Sequence, residues 1–362
     1  MTEQPVRIVR GVLLSLIIGG VGGAVFHALN LPLPWMLGSM CFVVVAAIAG
    51  APVALYMPLR MLMVAVLGTL LGSVFTPQIL DRLGDWAGGA SLMAIFVGVM
   101  SVVSVGFLIR VGGLDRITAY FAGTPGGLGE MTVVGEQQGG DPRIIPLVHA
   151  TRVFIVVFLL PLYLVTVESL DIPQTSVTLD RQVSAEGVDL LILGACALIG
   201  FTLARLLRLP GGQILGPLLI SAAAYLTGLV HGKPPVTLIS VAQVVIGAAI
   251  GARFVGLDVR RMARPILLAL ISVFAMLAMA AAFAALAAPI LGIPRHALLL
   301  ALAPGGLAEM SLIALSLNID TAFITTMHLV RILLIVTLAP IIFRLLGWHL
   351  AKGKESTERR RS

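Results

Sequence analysis

The chain has 362 residues, of which 59% are hydrophobic and 11% charged, and a formal net charge of +7. A soluble domain carries about a quarter charged residues, so a water-soluble fold hiding this much apolar surface is excluded. The basic residues are scattered between apolar runs and gathered in a tail with Lys352, Lys354, Arg359, Arg360 and Arg361, which fits membrane orientation rather than nucleic-acid binding.

Apolar runs long enough to cross a hydrocarbon layer about 30 Å thick recur along the chain, at residues 11–30, 55–75, 87–110, 190–207 and 265–291. Arg7 and Arg10 precede the first run in the manner of a secretion signal. No polar mature chain follows it, so a retained helix is expected. Trp35 and Trp86 stand near run ends and read as interfacial anchors. Cys41 and Cys196 sit alone in apolar runs, and neither a disulfide framework nor a zinc site is implied. No cofactor is expected.

The chain is duplicated. Thr124-Pro-Gly-Gly-Leu-Gly-Glu-Met131 aligns with Ala303-Pro-Gly-Gly-Leu-Ala-Glu-Met310, an offset of 179 residues. The same offset pairs Asp141 with Asp320, His149 with His328, Arg152 with Arg331, Pro161 with Pro340, and Gly68 and Gly72 with Gly247 and Gly251. Leu31-Pro32 and Gly38 pair with Leu209-Pro210 and Gly216 at an offset of 178. The expected layout is a first membrane repeat at 1–168, an acidic extracytoplasmic linker at 169–188, a second repeat at 189–350 and a basic cytoplasmic tail at 351–362. Glu168, Asp171, Asp180 and Glu186 give the linker region its charge.

Each half reads as four apolar helices, a Gly/Pro-broken segment and one long helix. If the broken segment spans, the halves run parallel; if it dips in and returns, they are inverted. The inverted arrangement places Arg60, Arg110, Arg116, Arg143, Arg205, Arg208, Arg253, Arg260, Arg261, Arg264 and the tail in the cytoplasm, and leaves only Arg82, Arg181, Lys233 and Arg295 outside. The parallel one would put the cluster from Arg253 to Arg264 outside, against the positive-inside tendency. The fold expected is therefore an all-α integral membrane protein of about ten transmembrane helices in two inverted repeats. Its broken segments form re-entrant hairpins or a crossed pair of broken spanning helices.

A Pro-Gly-Gly break at membrane depth is tolerated only against protein or a wet cavity, so each break marks an interior site. Thr124 is the expected N-cap and Pro125 the first turn of a half-helix running through Glu130. Gly126 and Gly127, with Pro304, Gly305 and Gly306 in the second half, leave free N–H groups at a positive helix end that attracts anions. Glu130 and Glu309 are expected to bind a proton or cation, or to form structural ion pairs with Arg152 and Arg331. His149 with Arg152, and His328 with Arg331, share a helix face at a spacing of three. The histidines read as packing groups or as a proton relay. Asp141 and Asp320 are expected to cap the final helices, and the Gly68/Gly72 and Gly247/Gly251 pairs to pack helices closely.

The doubled Pro-Gly-Gly-Leu-x-Glu-Met motif, the segment Leu31-Pro-Leu-Pro-Trp-Met-Leu-Gly38 and the two His-x-x-Arg helices together resemble the AbrB membrane-protein family, which is distinct from the small soluble transcription factor of that name. The resemblance runs from about residue 10 to residue 350. Members are commonly labelled ammonia monooxygenases or AbrB-type regulators of gene expression, and the family is similar to the cation/proton antiporters and anion transporters with inverted five-helix repeats. A copper or iron monooxygenase needs clustered ligands, whereas His27, His149, His231, His296, His328 and His349 are dispersed in sequence. A transcriptional effect would be indirect. The expectation is a non-enzymatic secondary transporter of the bacterial inner membrane with both termini cytoplasmic, energised by a gradient because no nucleotide-binding loop is present. Its partners would be the lipid bilayer and a small, anionic solute or ion, with a homo-oligomer also compatible. A cation/proton antiporter and a non-transporting scaffold or sensor are the alternatives.

Overall fold

The computed structural model describes residues 3–80, 84–168, 170, 185 and 187–347. Arg82, Arg181, most of the acidic linker and the basic tail lie outside the described residues.

The described chain is all helical. The first half contains α1 (Glu3–Ala28), α2 (Pro34–Ile48), α3 (Met57–Gly72), α4 (Ala87–Arg110), α5 (Arg116–Gly123), α6 (Leu128–Gln137) and α7 (Ile144–Thr166), with a one-turn helix at Pro77–Leu80. The second half repeats that order as α8 (Val188–Leu206), α9 (Gly212–Leu226), α10 (Val236–Gly251), α11 (Ala263–Leu291), α12 (Arg295–Leu302), α13 (Leu307–Ser316) and α14 (Thr321–Leu345). Among the described residues seven helices are long and apolar enough to cross a membrane: α1, α4, α7, α8, α10 with the turn after it, α11 and α14. Leu13, Ile17 and Val21 form one exposed stripe on α1, and Leu191 and Leu198 are exposed on α8. Apolar stripes of this kind need lipid around them, and the chain is a multi-pass membrane protein.

The remaining apolar helices are short. The run at 55–75 yields only the 16 residues of α3, about 24 Å at 1.5 Å per residue. Pro58 starts it, and the Ser73 hydroxyl donates to the Leu70 carbonyl at its end (2.7 Å). Pro34 likewise opens α2. The turns that lead into the second helix are duplicated down to the backbone: Asn30 and Leu33 have φ of 52° and 47°, and their counterparts Arg208 and Gly211 have 52° and 62°.

The chain divides into two compact units, each built from both halves. The first comprises Met1–Trp86, Val157–Arg261 and Gly305–Thr326; the second comprises Ala87–Val156, Met262–Pro304 and Met327–Ser362. In the first unit, α1 packs on α2 and α8 on α9, while α2 packs on α10 and α9 on α3. Glycine sets each crossing. A β-carbon on Gly38 would meet the Gly22 carbonyl, and one on Gly216 the Gly200 carbonyl. Gly247 lies against Met36 and Ser39, and Gly68 against Ile214 and Pro217. The close packing expected of Gly68, Gly72, Gly247 and Gly251 is thus what the fold uses them for. Trp86 is no interfacial anchor: it is 5% exposed and meets Phe323 edge to face at 5.8 Å. Its ring adds buried area and an aromatic pair to the core instead.

In the second unit α4 packs on α5 and α11, and α11 on α12. Ser104 and Ser272 share a buried hydrogen bond (3.0 Å) between α4 and α11, and Phe96 meets Phe283 at 5.2 Å.

Candidate functional site

Asp115 caps α5 by accepting from the Ile117 and Thr118 amides (3.1 and 2.9 Å). The helix ends at Thr124, whose φ of −72° and ψ of 128° are the extended values forced on a residue before proline. Ala303, before Pro304, ends α12 in the same way. Thr124 is therefore the C-cap of the first half-helix and not the N-cap of the second. Gly127 and Gly306 are the N-caps of α6 and α13, and Pro125 precedes the helix it was expected to start.

This frame puts Glu130 and Glu309 in the first turn, at the third position of each helix. A β-carbon built on Gly127 would fall on the Glu130 carboxylate, and one on Gly306 on that of Glu309. Each acid thus folds back over its own helix start, the acidic half of a capping box. The positive helix end expected to attract an anion already has a carboxylate upon it.

The two acids occupy unequal surroundings. Glu130 is exposed, whereas Glu309 is only 8% exposed. In the first unit Arg253, in the turn after α10, is attracted by Glu309 and repelled by Arg60. Arg60 donates to the Gln213 side-chain oxygen (3.4 Å), and its buried Nε has no partner among the described residues. This cluster escaped sequence reasoning because Arg253 aligns with Val74, so the repeat gave no signal for it.

The basic residues of α7 and α14 do the same work in both halves. In the second unit, His149 Nε2 donates to the Phe121 carbonyl (2.8 Å) and Arg152 to the carbonyls of Thr124 (3.5 Å) and Gly126 (3.1 Å). Likewise, His328 Nε2 donates to Leu300 (3.2 Å) and Arg331 to Ala303 (2.7 Å). Two of these bonds, one from the histidine and one from the arginine, repeat at a separation of 28 residues in each half. The last carbonyls of a half-helix have no helical partners, and a cation at that end both bonds them and opposes the negative end of the helix dipole. The bond through Nε2 also fixes the imidazole tautomer. All four basic side chains are buried, at 0–4% exposed.

Asp141 accepts from the Arg143 and Ile144 amides (2.7 and 3.2 Å), and Asp320 from Phe323 (3.1 Å). Both are helix caps, as their positions suggested. Among the described residues no three His, Cys, Asp or Glu gather as a ligand set.

The chain is similar to two curated proteins along most of its length. One is YhjN of Bacillus subtilis (strain 168), 26% identical over 356 residues that cover 91% of each chain. The other, from Escherichia coli (strain K12), is named as a regulator AbrB and is 28% identical over 332 residues, 90% of this chain and 94% of its own. Residues 35–347 match the family described as transition state regulatory protein AbrB. That stretch includes the whole doubled motif, and the chain belongs to the AbrB family.

Proposed function

We propose that the protein is a secondary transporter, not an enzyme, which carries a small anionic solute at its helix breaks. The observation that carries the reading is the pair of buried guanidinium groups, Arg152 and Arg331, each bonded to a carbonyl at a helix break. Positive charges this far from water are stabilised by an anion beside them. The reading includes about ten crossings in two inverted repeats, residence in the bacterial inner membrane and cytoplasmic termini, in keeping with the placement of arginine along the sequence.

The folded-back glutamates suggest how protons couple to the solute. A charged Glu130 occupies the start of α6. Once protonated it no longer competes for that positive end, and the solute's own negative charge takes its place. Anion and proton then travel together. Glu309 serves the same role in the second half, with Arg253 as a fixed neighbour whose positive charge disfavours a bound cation, and His149 and His328 lie beside the arginines as relay groups. The exchange of cations for protons is the less favoured reading for that reason.

The family description and the name of the Escherichia coli relative favour a second reading, a membrane protein linked to gene regulation. With no soluble reading module among the described helices, that link is indirect, through the transported solute.

Reconstitution into liposomes with a pH-sensitive dye and a panel of small carboxylates tests the proposal. Uptake should rise as the external pH falls and be blocked by competing carboxylates. Glu130→Gln should make it insensitive to pH, and Arg152→Gln or Arg331→Gln should lower it at least tenfold. Movement of neither proton nor solute across the panel, or full function with both glutamates replaced by glutamine, would overturn it.

A further inference from the structure

Within the second unit a groove of about 420 Å³ runs between α4 and α14 and ends at the break after α5. A volume of that size suits a small ligand, since such pockets span about 300–1,000 Å³. Its wall is apolar, with Val97, Val105, Leu334 and Leu338 among the lining side chains. Gly98 and Gly106 widen it, for a β-carbon on either would meet nothing within 4 Å. The outer rim carries Val102 and Ile342, which are 74% and 45% exposed. Both walls are membrane-crossing helices, so the groove is open to solutes dissolved in the apolar layer.

Three hydroxyls line it, and two are engaged. Ser101 donates to Val97 of its own helix (2.7 Å), and Tyr120 donates to the Ala339 carbonyl (2.6 Å). The third, Thr124 Oγ1, is buried without a partner among the described residues, in a side chain that is 3% exposed. A buried hydroxyl without a partner is destabilising, so its persistence in the groove wall asks for an acceptor. Thr124 is also the residue whose carbonyl receives Arg152. The inner end of the groove therefore brings Thr124, whose buried hydroxyl has no partner among the described residues, next to a buried cation, while the other two hydroxyls are engaged and the remaining wall is hydrocarbon.

We propose that the groove binds the alkyl tail of an amphipathic carboxylate whose head lies at Thr124. The proposal rests on the anion-carrier reading and narrows it: the solute is a medium-chain carboxylate that reaches the break from within the bilayer. Thr124 accounts for recognition of the head, and Gly98 and Gly106 make room for the tail.

Binding of radiolabelled acetate, hexanoate and decanoate to the full-length protein in nanodiscs tests this, with decanol as the uncharged control. Each buried methylene should tighten binding about fourfold, so decanoate should exceed hexanoate by at least tenfold. Gly98→Leu and Gly106→Leu should remove that gain and leave acetate binding unchanged; comparison at a fixed lipid content cancels partition into the bilayer. Val102→Trp, at the exposed rim, replaces them if either fails to fold. Thr124→Val should weaken decanoate several-fold. Carboxylate binding that ignores chain length, or decanoate affinity that survives the leucines, overturns the groove assignment alone. Decanol binding as tightly as decanoate overturns it together with the anion reading. Loss of a dimer upon Gly98→Leu would assign the groove to a second copy of the chain and overturn it as well.

Discussion

At the scale of the residue, the sites are decided by backbone groups that have lost their helical partners. Arg152 and Arg331 were expected to meet glutamates or solute, yet their hydrogen bonds go first to carbonyls at the ends of α5 and α12. The motif shows the break, but the carbonyls it orphans belong to every sequence alike and leave no mark in it. Other positions show strain or pairing that single substitutions can read. Arg208 is exposed and held at φ 52°, a left-handed conformation that costs a non-glycine residue about 1–2 kcal/mol. Arg208→Gly should therefore stabilise the protein by about 1 kcal/mol, seen as a higher melting temperature in detergent; a lower one would refute the strain. The buried Ser104–Ser272 pair should cost about 1 kcal/mol when either serine becomes alanine. The double variant should lose less than the two single losses combined, because no hydroxyl is then orphaned. Chemical denaturation of the three variants measures that coupling.

At the scale of the element, glycine has opposite meanings that no local pattern separates. Gly38 lies directly on the backbone of Gly22, while Gly98 faces open space. Gly38→Ala has only main chain to push against and should destabilise by about 1–3 kcal/mol. Gly98→Ala should gain about 0.5–1 kcal/mol, since alanine restricts the unfolded chain and favours the helix. Melting curves of the two variants check the signs, and equal effects would show that helix propensity alone governs both. Caps are easier to read. Asp141 and Asp320 were legible because a short acceptor before an apolar run can serve the free amides of a helix start. Thr124 looked equally suitable for α6, but Pro125 held it extended and gave the cap to Gly127.

At the scale of the whole molecule, the sequence repeat and the compact units divide the chain differently. Each unit draws helices from both halves, because the short helices of one half bury their glycine faces against those of the other. The inverted arrangement predicts that the stretch around Arg260 and the carboxy-terminal tail share a side. Single cysteines at Arg260 and Lys352, in a cysteine-free background, should both resist an impermeant thiol reagent added outside intact cells. Labelling of one and not the other would reject it. The sequence by itself determined the membrane class, the duplication, the order of helices within each half and the position of both breaks, since these follow from hydropathy and chain chemistry acting locally. Only the tertiary structure decided that Glu130 is exposed while Glu309 is buried near Arg253. It alone placed Thr124 in the wall of an apolar groove. Both motifs carry the same glutamate, but the free energy of a charge depends on neighbours brought from far along the chain, and those neighbours were not duplicated.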